Sequence, residues 1–311
     1  MSNPKTIGTV YGLIGMLSFS LTLPATRAAV LYFDPSVVAF GRPLLAGLLA
    51  AILLFVTGQR VPPWRYWKNF ALVTLGTGIG VPLTFAWGMH SLPAAHGAIT
   101  LALLPLGTAL VATLRAGERP SMRFWAASVV GSAAVLAFAE IKGAGHIQLA
   151  DFILLLSVAA SALGYAEGAR LTRVMPGWQV MSWSLVMALP LHVIPFLLAV
   201  RAHGLSAPTS AWLGLIYIAV VSQWIGMFAW LRGLSTGGIA RIGQLQLAQP
   251  FCTLLFSSLL LGESITPAML IAAAVVVAAV AVGRNASIEV REESLLRDDS
   301  SSDELGSETP S

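Results

Sequence analysis

A chain of 311 residues with 56% hydrophobic and only 10% charged side chains cannot close into one soluble domain, because too little polar surface is available to cover it. A mean hydropathy of +0.79 points to a polytopic membrane protein, and a single cysteine, Cys252, excludes an internal disulfide and a thiolate metal cluster. The net charge of +4 comes from helix-flanking arginines rather than a basic face, so no nucleic-acid partner is expected.

In chain order, apolar stretches that meet the roughly 20 helical residues a bilayer demands run over 7–31, 36–57, 70–89, 95–114, 124–138, 152–171, 178–200, 212–231, 239–261 and 267–282. They predict an all-α polytopic membrane protein of ten transmembrane helices, separated by breakers such as Asp34-Pro35, Pro62-Pro63, Met175-Pro176-Gly177 and Thr266-Pro267. The first stretch reads as a retained helix rather than a cleavable signal, since hydrophobic segments recur almost to the end. Residues 285–311 differ: acids from Glu289 to Glu308 mix with serine and few apolar residues, which predicts a disordered acidic tail.

One stretch occurs twice. Pro105, Thr108, Gly117 and Glu118 are echoed by Pro250, Thr253, Gly262 and Glu263 at a constant spacing of 145, and an apolar helix-length segment follows each copy. That is the mark of an internal duplication, with a first five-helix repeat at 7–141 and a second at 151–284, preceded by a short cytoplasmic N-terminus at 1–6. Five is odd, so the second repeat must enter the bilayer inverted. Basic residues agree: with the N-terminus inside, twelve lie at inner positions, from Lys5 to Arg284, against four at outer ones, Arg27, Arg42, Lys142 and Arg201. Both termini are therefore expected in the cytoplasm, and the membrane is expected to be the bacterial inner one. Arg115, Arg119 and Arg123 become Leu260, Ser264 and Ala268 in the second copy, where the loop faces out.

Patterns that imitate catalytic motifs carry packing readings instead. Gly233-Leu234-Ser235-Thr236-Gly237 fits a nucleophile elbow in letters alone, for it lies between membrane helices without a strand. Gly76, Gly78 and Gly80 with Pro82 predict a pliable or broken third helix rather than a phosphate loop. Gly8-Thr9-Val10-Tyr11-Gly12 is a small-xxx-small helix contact. The histidines show no metal-ligand spacing, so no metal, cofactor or enzyme activity is expected.

Polar groups inside spans carry the functional signal, since they are costly there. Gln246, Gln249 and Thr253 share one face of the ninth helix beside Pro250. Their first-half counterparts are Leu101, Leu104 and Thr108, so the amides belong to one repeat only, as an asymmetric substrate site requires; helix-to-helix hydrogen bonding is the alternative. Arg42, like Arg27, stands in an outer third of its helix, either snorkelling or touching a substrate anion. Trp87 and Trp230 close matching Phe-Ala-Trp triplets, as cavity walls or interface anchors. Tyr165 lies near Glu167, the one acid clearly inside a span. Gln246, Gln249, Trp87, Trp230, Arg42 and Tyr165 thus form the candidate substrate-binding set. Glu167 is the candidate proton-coupling group, with an ion pair to Arg170 as its alternative.

The five-plus-five repeat, the Pro-x11-Gly-Glu closing the fourth and ninth helices, and Phe40-Gly41-Arg42 opening the second resemble the EamA branch of the drug/metabolite transporter superfamily over 7–284. Phe19 departs from the tryptophan such proteins often carry there. The resemblance implies an inverted-repeat carrier, usually an exporter of amino acids or similar small metabolites, with a cavity lined by helices one, three, four, six, eight and nine. Uptake or exchange of sugars or nucleotide-sugars is the runner-up function, and a non-transporting scaffold or sensor the third. The expected partners are a small-molecule substrate and the lipid bilayer, and one copy of the chain could suffice.

Overall fold

The computed structural model describes residues 4–84, 94–141, 149–261, 267–284 and 288–290. These residues are almost wholly helical: α1 (Pro4–Val30), α2 (Pro35–Val56), α3 (67–84), α4 (Ala94–Ala116), α5 (Met122–Ile141), α6 (Leu149–Leu171), α7 (Gly177–His203), α8 (Thr209–Gly237), α9 (239–261) and α10 (Pro267–Arg284). By length and apolar composition α1, α2, α7 and α8 are each able to cross a membrane, and shorter apolar helices cover Leu103–Ala116, Met122–Ala137 and Leu270–Gly283. The chain is an all-α membrane protein. Ile288–Val290 departs from the disordered tail expected over 285–311: it pairs antiparallel with Glu118–Pro120, Ile288 opposite Pro120 and Val290 opposite Glu118. Its alternating Ile-Glu-Val suits a short strand; residues 291–311 lie outside the described residues.

Prolines set the irregularities. A proline within a helix removes one N–H and leaves the carbonyl four residues earlier without its usual donor, and in a bilayer such a carbonyl needs another partner. Pro24 frees the Ser20 carbonyl at the break in α1, and Thr253 of α9 donates its hydroxyl to it at 2.7 Å. Pro82 frees the Gly78 carbonyl, which lies 3.0 Å from His192 Nε2. Pro250 forces the preceding Gln244–Ala248 into a 3-10 turn, in which the Gln249 N–H takes the Gln246 carbonyl.

Over the described residues 67–84 the third helix is continuous. It winds as a π-helix over Thr74–Gly80, and α8 does the same over Tyr217–Ile225. Thr77 and Ser222, one in each π segment, stand at the 145-residue spacing of the repeated sequence. The segments touch: Gln223 Nε2 donates to the Thr77 carbonyl at 3.3 Å. π-turns widen a helix locally and are frequent at functional sites.

Glycine brings backbones together at two crossings. A Cβ on Gly8 would lie 2.5 Å from the Gly237 nitrogen, and one on Gly233 would lie 2.6 Å from the Gly12 nitrogen, so the α1 and α8 backbones are in contact. The Gly233–Gly237 motif therefore serves packing, as does Gly8–Gly12. At the α3–α6 crossing a Cβ on Gly76 would meet the Ala160 carbonyl at 2.5 Å.

The end of the bundle that carries Pro4 and Ile288 is closed by a cap. Glu118 follows Gly117, whose φ of 66° lets the chain turn out of α4. The buried carboxylate accepts from the backbone N–H of Ile239 at 2.7 Å and of Ala240 at 2.8 Å. It thus satisfies the start of α9 from the other half of the chain. This is a physical use for the Gly-Glu signature that the sequence marked.

Candidate functional site

The π segments, the 3-10 turn of α9 and the kink of α1 surround a cavity of about 90 Å3. That is several times the roughly 10–15 Å3 that a single water needs. Phe19, Thr22 and Leu23 of α1, Thr77 and Val81 of α3, Leu104 of α4, Ser157, Ser161 and Tyr165 of α6, Ser222, Gln223 and Met227 of α8 and Gln246 and Gln249 of α9 line it. Arg42 of α2 and Met181 of α7 complete the wall. Each irregular element places a polar residue in the lining: Thr22, Thr77, Ser222 and Gln223, and Gln246.

A polar ring runs through the cavity. The Thr22 and Ser222 hydroxyls are 2.7 Å apart, and Arg42 Nη2 donates to Ser222 Oγ at 3.4 Å. Tyr165 stands close to Gln246, Ser161 and Arg42. Gln223, Gln246 and Gln249 are only 2%, 1% and 6% exposed, yet the Oε1 atom of each is buried without a hydrogen-bond partner, as is Arg42 Nε.

Of the candidates drawn from the sequence, Gln246, Gln249, Arg42 and Tyr165 meet at this cavity. Trp230 stands behind it, fully buried, with its ring edge-on to Phe19 at 5.8 Å and to Tyr165 at 5.7 Å. Trp87 lies outside the described residues. Arg27 is exposed to the surroundings and absent from the lining. Thr253 faces α1 as a helix tie rather than the cavity. Gln244, which drew no attention in the sequence, is also a tie: it donates to Ser128 Oγ of α5 at 2.7 Å.

Glu167 is elsewhere. Its fully buried carboxylate accepts from Arg115 Nε at 2.7 Å, Asn69 Nδ2 at 2.6 Å and Arg170 Nη1 at 3.2 Å, and Arg115 Nη2 adds a further contact at 2.7 Å. Asn69 opens α3 and Arg115 ends α4, so this cluster ties the first half of the chain to α6. Thr77 escaped the sequence reading, although its 145-residue spacing from Ser222 was a signal available there.

The EamA-like transporter family model matches residues 6–139 and again residues 148–283. The chain is 42% identical over 283 residues to the uncharacterized transporter YdeK of Bacillus subtilis (strain 168), covering 91% of this chain and 98% of that protein. It is 21% identical over 266 residues to a probable terminal-alkyne amino-acid exporter of Streptantibioticus cattleyicolor, covering 85% of this chain and 89% of that protein. A protein of known crystal structure, 20% identical, superposes with a TM-score of 0.69 over 89% of this chain and 98% of its own, a likeness of fold. With the family matched over both halves and a transporter relative spanning nearly the whole chain, the protein belongs to the EamA-like transporter family of the drug/metabolite transporter superfamily.

Proposed function

We propose that this transporter exports small organic metabolites, amino acids or close relatives of them, by alternating access of the central cavity. Ten transmembrane helices in two inverted five-helix repeats would rock around it, with both termini in the cytoplasm of a bacterium and the chain in its inner membrane. One observation carries the reading: the cavity lies where the two π segments meet, with polar side chains contributed by both matched halves. The relative named as an amino-acid exporter supports the substrate class. Glu167 enters this reading in two competing roles, as proton carrier or as structural ion pair. Its two arginine partners and its place outside the cavity support the second.

The test of the cavity is the double substitution Gln246→Leu with Gln249→Leu, which copies the first repeat. Losing a hydrogen bond to a buried polar group costs about 1–3 kcal/mol, or roughly 5- to 150-fold in affinity. The double variant is therefore expected to insert and fold but to export with a raised apparent KM, measured in everted vesicles against a panel of amino acids. An unchanged KM at equal expression would make both glutamines structural.

Orientation has its own test. In a Cys252→Ser background, Ser206→Cys, between α7 and α8, is expected to react with an impermeant thiol reagent on intact cells, and Thr57→Cys, at the end of α2, only after lysis. The reverse pattern would put the termini outside.

A further inference from the structure

We propose that Arg42 seats a carboxylate of the substrate while the amide oxygens of Gln223, Gln246 and Gln249 take hydrogen-bond donors of the same molecule. The carried compounds are then small carboxylic acids bearing an ammonium or similar donor group. This rests on the cavity being the transport site, and adds which chemical groups it selects.

A guanidinium largely removed from water is costly without an anion beside it. Among the described residues Arg42 has hydroxyl company only: Ser222 Oγ at 3.4 Å, the Tyr165 side chain nearby, and a buried Nε with no partner. The cavity lining contains no aspartate or glutamate. Charge of this kind is unbalanced until a ligand brings a negative group, and the planar fork of arginine suits a carboxylate, which it can bind through two parallel hydrogen bonds.

The three amide oxygens make the complementary demand. All are buried acceptors without a donor. For Gln223 the orientation is set by chemistry: its Nε2 donates to the Thr77 carbonyl, and turning the amide over would place oxygen against oxygen. Three unpaired acceptors and one unpaired cation in a single cavity fit a dipolar ligand better than a neutral or purely cationic one. A sugar would leave Arg42 unbalanced, and an organic cation would meet its charge with no acid to offset it. The cavity volume of about 90 Å3 suits a molecule with few heavy atoms.

The full chain, purified and reconstituted into phosphatidylethanolamine–phosphatidylglycerol liposomes, is tested by counterflow with alanine, valine and leucine. Each is run beside its amide, the amine lacking the carboxylate, and the matching 2-hydroxy acid. At least one amino acid should exchange, and loss of the carboxylate, as amide or amine, should weaken apparent affinity at least about tenfold. The hydroxy acid should lose less. Arg42→Met should remove exchange of the carboxylates and Arg42→Lys retain a part. Without ligand, Arg42→Met should melt above the parent, because an unbalanced charge is gone. Amides and amines carried as well as the amino acid would overturn the inference and leave the transport reading intact. A lower melting temperature for Arg42→Met would make Arg42 a structural residue and overturn it as well. Exchange of an uncharged sugar with none of these probes would overturn both the inference and the amino-acid reading, and no flux of any solute would overturn transport itself.

Discussion

Valine at Gly233 is expected to prevent the folded bundle from forming. Its first side-chain carbon would sit 2.6 Å from the Gly12 nitrogen, 2.9 Å from its Cα and 3.0 Å from the Gly8 carbonyl. All three are backbone atoms of α1, so no side-chain rotation relieves the clash and the two helices must separate. Overpacking a core costs about 1–3 kcal/mol where side chains can yield; here they cannot, and close backbone approach is itself the source of attraction between membrane helices. The separation would also pull α1 from the cavity, where Phe19 and Thr22 form one wall. Gly78→Ala is the internal control, since its nearest neighbour would be the Ala188 Cβ at 3.6 Å, an ordinary contact. The expected result is that Gly233→Val gives little monodisperse protein on size-exclusion chromatography in mild detergent while Gly78→Ala resembles the parent. Equal yields and melting temperatures for both would show that the α1–α8 crossing opens at little cost.

Removing the carboxylate at Glu167 has the second large effect. Glu167→Leu leaves Arg115 and Arg170 side by side with no anion between them, and leaves Asn69 without its acceptor. Breaking a buried ion pair from one side costs about 3–5 kcal/mol. The two arginines are 43% and 36% exposed, so solvent screens part of that, and about 1–3 kcal/mol is the expected loss. The fall should appear in thermal melts of the detergent-solubilised chain, and Arg115→Leu added to Glu167→Leu should recover part of it, because the like-charge pair is then gone. The same site separates the two roles open to Glu167. Protonation would take the carboxylate's charge away from both arginines, so the structural account expects Glu167→Gln to lower gradient-driven accumulation and equal-concentration exchange together, in proportion to lost folded protein. Loss of accumulation with full exchange would instead make Glu167 the coupling group.

Much of this architecture was legible in the sequence because hydrophobic run length is a local property. The start of α9 at Ile239 coincides with that of the apolar run, and the ends of α1 and α8 differ from theirs by a few residues, because polar and glycine residues can extend a helix beyond its apolar run. The prolines were visible too, and so was the carbonyl each one frees, since both follow from covalent structure. The spacing of 145 marked Gly117-Glu118 as important without saying why.

What the sequence by itself determined was therefore the membrane class, the helix-forming segments, the duplicated signature and a short set of polar residues at depth. Which partner each of those residues meets was decided only by tertiary structure. Gln244, Gln246 and Gln249 are equivalent letters in one segment, yet Gln244 ties α9 to Ser128 of α5 while the other two face the cavity. The winding of a 3-10 turn before Pro250, and not composition, sets which amide points where. Glu167 and Arg170 are one turn apart in any helix, but Arg115 and Asn69 reach the same carboxylate from 52 and 98 residues away. Contacts of that separation arise from how helices cross, and here glycine backbones set the crossings, so the charge balance of Glu167, and the absence of an acid beside Arg42 among the described residues, are properties of the packed bundle.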